Sequence, residues 1–130
     1  MKKIIFITLG AIVLLGLFIW PKISNSNRPI IKTWTEGGVN CLTNGHSSIS
    51  QHIHLNIAII VDDQPVQIPA NIGIVPSCMS ELHTHDASGK VHIETVLSTT
   101  SFTLGQFFQV LGQSFNRDGY SILMTVNEQP

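Results

Sequence analysis

Hydrophobic and polar residues alternate with period two along residues 52–61 (HIHLNIAIIV). Ile53, Leu55, Ile57, Ile59 and Val61 fall on one side and His52, His54, Asn56 and Ala58 on the other, which predicts a strand with one buried face. Asp62-Asp63-Gln64-Pro65 predicts a turn, residues 66–68 a short return, and Pro69-Ala70-Asn71-Ile72-Gly73 a loop. A second hairpin is predicted over residues 81–96, turning through Asp86-Ala87-Ser88-Gly89. Its register decides which histidines meet. A loop of two or four residues sets His83 opposite His92 and Leu82 opposite Ile93, so that His83, His85, His92 and Glu94 share the polar face. A three-residue loop with a bulge at Gly89 would put Leu82 on the face of His92 and Glu94; burial of the apolar residues favours the even register.

Residues 101–112 (SFTLGQFFQVLG) change to a helical period, with Leu104, Phe107, Phe108 and Leu111 as the buried stripe. Thr103 and Gln106 form a capping box, and Gly112 suits the C-terminal stop. Asp118-Gly119 then predicts a turn into a last strand over residues 120–126. Trp34 and Tyr120 are read as packing residues.

The N-terminal pattern is of another kind. Residues 4–20 (IIFITLGAIVLLGLFIW) hold no charge and follow Lys2-Lys3, so they predict a membrane segment of roughly 25 Å, close to the hydrocarbon thickness of about 30 Å. The bulky Phe18-Ile19-Trp20-Pro21 favours a retained signal anchor over a cleaved peptide. The two lysines hold the N-terminus inside, which places the rest of the chain outside the cytoplasmic membrane. Residues 1–21 are therefore expected to be the anchor, 22–33 a polar tether broken by Pro29, and 34–130 a single extracytoplasmic domain. The fold class expected is mainly β (α+β), a compact antiparallel sandwich or half-barrel with one short helix.

Composition sharpens the chemistry. Charged residues make up only 12% and the net charge is -1, with no basic run beyond Lys2-Lys3 to follow a phosphate backbone, so a nucleic-acid partner is not expected. Cys41 and Cys78, distant in sequence and facing an oxidising compartment, suit a disulfide, with metal ligation or free thiols as the alternatives. Six histidines are many for a chain with eight Asp+Glu. His52-x-His54 and His83-x-His85 each set two imidazoles on one side of a strand. If the hairpins are neighbours, His52, His54, His83, His85 and His92 converge, with Asp86 and Glu94 on the rim to orient the rings. Imidazole suits copper and zinc alike, and the missing thiolate argues against a blue-copper centre. His46, in the loop before the first strand, is read as bland. Alternatives are a small metalloenzyme with an open coordination position and Glu94 or Asp86 as base, or a metal-free module docking on an envelope protein.

The segments His52-Ile53-His54, Ile68-Pro69-Ala70-Asn71-Ile72-Gly73-Ile74, Leu82-His83-Thr84-His85-Asp86-Ala87-Ser88-Gly89, Val91-His92-Ile93-Glu94 and Thr103-Leu104-Gly105-Gln106-Phe107-Phe108 together resemble a family of small, largely uncharacterised bacterial and archaeal proteins carrying an N-terminal membrane segment or signal. The resemblance spans most of residues 41–115 and implies domain limits and export rather than an activity. A looser similarity, to the cupin barrel, rests on His52-x-His54 and Ile68-Pro69-Ala70. Gly45 stands one residue too far from His52 for that pattern, and its glutamate position falls in Ala58-Ile59.

Overall fold

The computed structural model describes residues 27–42 and 44–129. The anchor expected over residues 1–21 lies outside them, as does the first part of the tether. No helix among the described residues is long and apolar enough to cross a membrane.

The first described element corrects the tether. Asn27–Glu36 is a helix, α1, running across the boundary expected between tether and domain. Pro29 lies in its first turn, where a missing N–H removes no helical hydrogen bond and the fixed φ suits the start. Trp34 is buried, with Ile30 and Ile31 packed against the same core. The turn after α1 closes through Gly38, at φ 81°, and the Val39 N–H donates to the Trp34 carbonyl at 2.9 Å.

A single 3-10 turn, Gly45–Ser48, leads into β1 (Gln51–Asn56), β2 (Ile59–Val61) and β3 (Gln64–Val66). The long strand expected over residues 52–61 is thus two strands broken at Ile57-Ala58. β2 and β3 form an antiparallel hairpin around Asp62 and Asp63, both at positive φ, the conformation a two-residue hairpin turn requires. A short hairpin that the sequence pattern did not predict follows, β4 (Ile74–Val75) with β5 (Cys78–Met79). β6 (Leu82–His83) and β7 (Lys90–Thr95) come next.

The sheet that matters for the site is antiparallel, in the order β1-β7-β6. Its register pairs Leu82 with Ile93 and His83 with His92, as the even loop predicts. Gly89 closes that loop at φ 83°, and a Cβ there would stand 2.5 Å from the Ile57 carbonyl oxygen, so only glycine fits. Where a sandwich or half-barrel was expected, the strands among the described residues make this three-stranded sheet and two separate two-stranded ones. With two short helices the domain is mainly β, a small α+β fold.

α2 (Leu104–Leu111) carries the expected capping box, with the Gln106 N–H donating to Thr103 Oγ1 and the Thr103 N–H to Gln106 Oε1. Gly112 ends it in the left-handed conformation. Phe107, Val110 and Leu111 are its buried residues, and it packs on α1 and β6. The Gln106 and Gln109 amides donate to the Gly37 and Thr33 carbonyls at 2.9 and 2.8 Å, tying α2 to the end of α1. The core is completed by Val39, Ile68, Ile72, Leu82 and Val91.

Cys41 and Cys78 form the disulfide, their Cα atoms 5.3 Å apart. It fastens the segment after α1 to β5, where the Leu42 N–H donates to Met79 O and the Glu81 N–H to Asn40 O. In the chain-entropy account a closed loop of this length stabilises by about 4 kcal/mol.

Two further expectations are corrected. Residues 120–126 form no strand: they are exposed and irregular, with only a Val126–Gln129 bridge. Tyr120 is not a packing residue, being 44% exposed, with its hydroxyl donating to Asp62 Oδ2 at 3.3 Å and the Arg117 guanidinium over its ring. The apolar side of β1 is open as well, Ile53 and Leu55 being 44% and 37% exposed. The alternation is right, since Ile53 pairs with Ile93 and Leu55 with Val91, but β1 is an outer strand and α2 lies against β6 on the opposite side of the sheet.

Candidate metal centre

Sheet register brings the histidines together. β1 pairs with β7 so that His54 lies opposite His92 and His52 opposite Glu94, while β6 places His83 on the other side of His92. His54, His92 and His83 thus form one row across three strands. His52 and Glu94 continue it along β1 and β7, and His85 follows two residues after His83. The two His-x-His segments meet through β7, which pairs with β1 on one side and β6 on the other.

The spacing of the ring nitrogens fits coordination. His52, His54 and His92 bring one nitrogen each within 4.8 Å of one another, and so do His83, His85 and His92. His52 Nε2 and His54 Nε2 are 2.8 Å apart, His54 Nε2 and His92 Nδ1 3.2 Å, and His83 Nε2 and His85 Nε2 3.2 Å. Ligand bonds of about 2.0–2.1 Å in a tetrahedral zinc site set nitrogens roughly 3.3 Å apart. The rings therefore need little movement to share an ion.

His83 is the most constrained ring. It is fully buried, and its Nδ1 lies 2.9 Å from the Ser80 carbonyl oxygen, which can only accept. Nδ1 must carry the proton, leaving the Nε2 lone pair turned toward His85 and the cluster. Burial lowers the His83 pKa to about 4, so the ring is neutral, as a ligand must be, at neutral pH. The His92 pKa is also lowered, first by burial and then by His54 and His85.

Glu94 stands at the centre rather than on the rim. Its side chain is fully buried, and Oε1 lies 3.1 Å from His52 Nε2, 3.5 Å from His92 Nδ1 and 3.9 Å from His83 Nε2. None of these approaches has hydrogen-bond geometry, so Oε1 is a buried oxygen without a hydrogen-bond partner. Such an atom is costly to leave unpaired, and its position among ring nitrogens points to a cation.

His46 was missed by the sequence reading. The 3-10 turn carries its Nδ1 to 2.6 Å from Glu94 Oε2, to which it donates, and sets its ring centroid 6.1 Å from that of His83 and 5.9 Å from that of His85. No periodicity marks a histidine in a turn; the available signal was the sorting of the other five onto one face. Asp86 instead serves its own loop, where Oδ1 accepts the Ser88 N–H at 2.9 Å, and hydrogen bonding to Ser88 lowers its pKa. No known protein family, curated protein or solved structure matches this chain.

Proposed function

We propose that this chain is a membrane-anchored extracytoplasmic domain that binds copper or zinc through His52, His54, His83, His85 and His92, for storage, delivery or sensing in the envelope. The observation that carries the metal reading is the ring of imidazole nitrogens at coordination spacing around the buried Glu94 Oε1, which has no hydrogen-bond partner. The uncharged run over residues 4–20 and the Cys41–Cys78 disulfide support a place outside the cytoplasmic membrane. His54 and His85 are exposed, which favours, as a second reading, a metalloenzyme with one coordination position open to solvent.

The test is calorimetric titration of the full chain in detergent with zinc and with copper. Stoichiometric binding tighter than about micromolar is expected. Replacing His54 and His85 together by alanine, both exposed and so tolerable to the fold, should remove it. Binding no tighter than micromolar in the unaltered chain, or binding unchanged in the double variant, would sink the assignment.

A further inference from the structure

Counting donors carries the metal reading further. Six imidazoles and both oxygens of one carboxylate crowd the cluster: His46 faces Oε2, and His52 and His92 face Oε1. A single four-coordinate ion would take four of these eight donors and leave the others crowded together without a cation. Two ions would use all eight.

We propose that the cluster is a dinuclear centre, in which His52, His54 and His92 hold one divalent transition-metal ion, His46, His83 and His85 hold the other, and the two oxygens of Glu94 bridge them. The proposal rests on the metal reading above. His92 lies within coordination spacing of both His-x-His pairs, but its Nδ1 stands 3.2 Å from His54 Nε2, which assigns it to the β1 ion. His83 and His85 are then one nitrogen short. His46 is the ring beside them, and it already touches the second oxygen of Glu94. On binding through Nδ1, its ring proton moves to Nε2. Ions bridged in this way lie about 3.5–4 Å apart.

The experiment loads the full chain in detergent with Zn(II) alone or Cu(II) alone and measures bound metal against protein. Two ions per chain are expected, and the Cu(II) electron paramagnetic resonance signal should integrate to well under the bound copper, because neighbouring Cu(II) ions couple. His46→Ala, at a half-exposed turn, should keep the fold by circular dichroism, bind one ion, and restore a signal equal to the bound copper. His54→Ala should do the same from the other side. One ion in the unaltered chain, with His46→Ala no different, overturns the dinuclear centre while leaving metal binding intact. Two ions retained in His46→Ala overturn the ligand assignment. No stoichiometric ion overturns both this proposal and the function on which it rests.

Discussion

His52-Ile53-His54, within β1, and His83-Thr84-His85, which runs from the end of β6 into the following loop, are the same motif, yet their surroundings are reversed. In the first, the apolar middle residue is 44% exposed; in the second, the polar middle residue is fully buried. Thr84 is accommodated because its Oγ1 donates to the Pro69 carbonyl at 2.9 Å and accepts the Ile72 N–H at 3.1 Å, while its own N–H donates to Ile72 O. The loop over residues 69–73 thus covers the second motif and leaves the first open. Burial follows what packs over a strand, and hydropathy alone does not decide it. In the second motif His83 is accordingly held neutral, with its proton on Nδ1, whereas the first motif sits on an outer strand.

Acidification should separate the two motifs most. Unfolded, His83 titrates near its ordinary value of 6.5; folded, near 4. Between those values the unfolded chain takes up a proton that the folded chain refuses, so stability is full above pH 6.5 and falls as the pH drops toward 4. The loss in the metal-free chain is about 3 kcal/mol. Urea midpoints at pH 7 and pH 4.5 measure it. His83→Gln should flatten the dependence and His52→Gln should leave it; a steep dependence surviving in His83→Gln would contradict the assignment.

The middle residues give a smaller contrast. Thr84→Val strands the Ile72 N–H and should cost about 1–3 kcal/mol. Ile53→Thr, on the open face, should stay within about 0.5 kcal/mol. Equal losses for the two in chemical denaturation would mean that β1 is covered after all.

Much of this was legible in the sequence. The even register of β6 and β7 follows from the pairing of Leu82 with Ile93, and α2 from its capping box, because each is set by neighbours in sequence. The adjacency of β1 and β7 had to be assumed, since strand order in a sheet is a tertiary matter. α1 was hidden because Pro29 reads as a breaker unless it is known to lie in a first turn. The apolar residues over 120–126 resemble a strand, but no partner strand pairs with them among the described residues. His46 reaches Glu94 from a turn, where sequence spacing carries no geometric information.

The pairing of β1 with β7 also sets an order of events. β2–β3, β4–β5 and β6–β7 join neighbours along the chain, whereas Gln51 must find Thr95 and Asn56 must find Lys90 across everything between them. Closing that long loop comes late in folding, because its entropy is lost before any contact rewards it. An ion bound between β1 and β7 as proposed would then be absent from the folding transition state, so metal should slow unfolding while leaving the refolding rate unchanged. Stopped-flow mixing with and without zinc would show a faster refolding limb if the order were the reverse. The histidine cluster would thus act as a latch, engaged last and holding the chain closed by the time it takes to open.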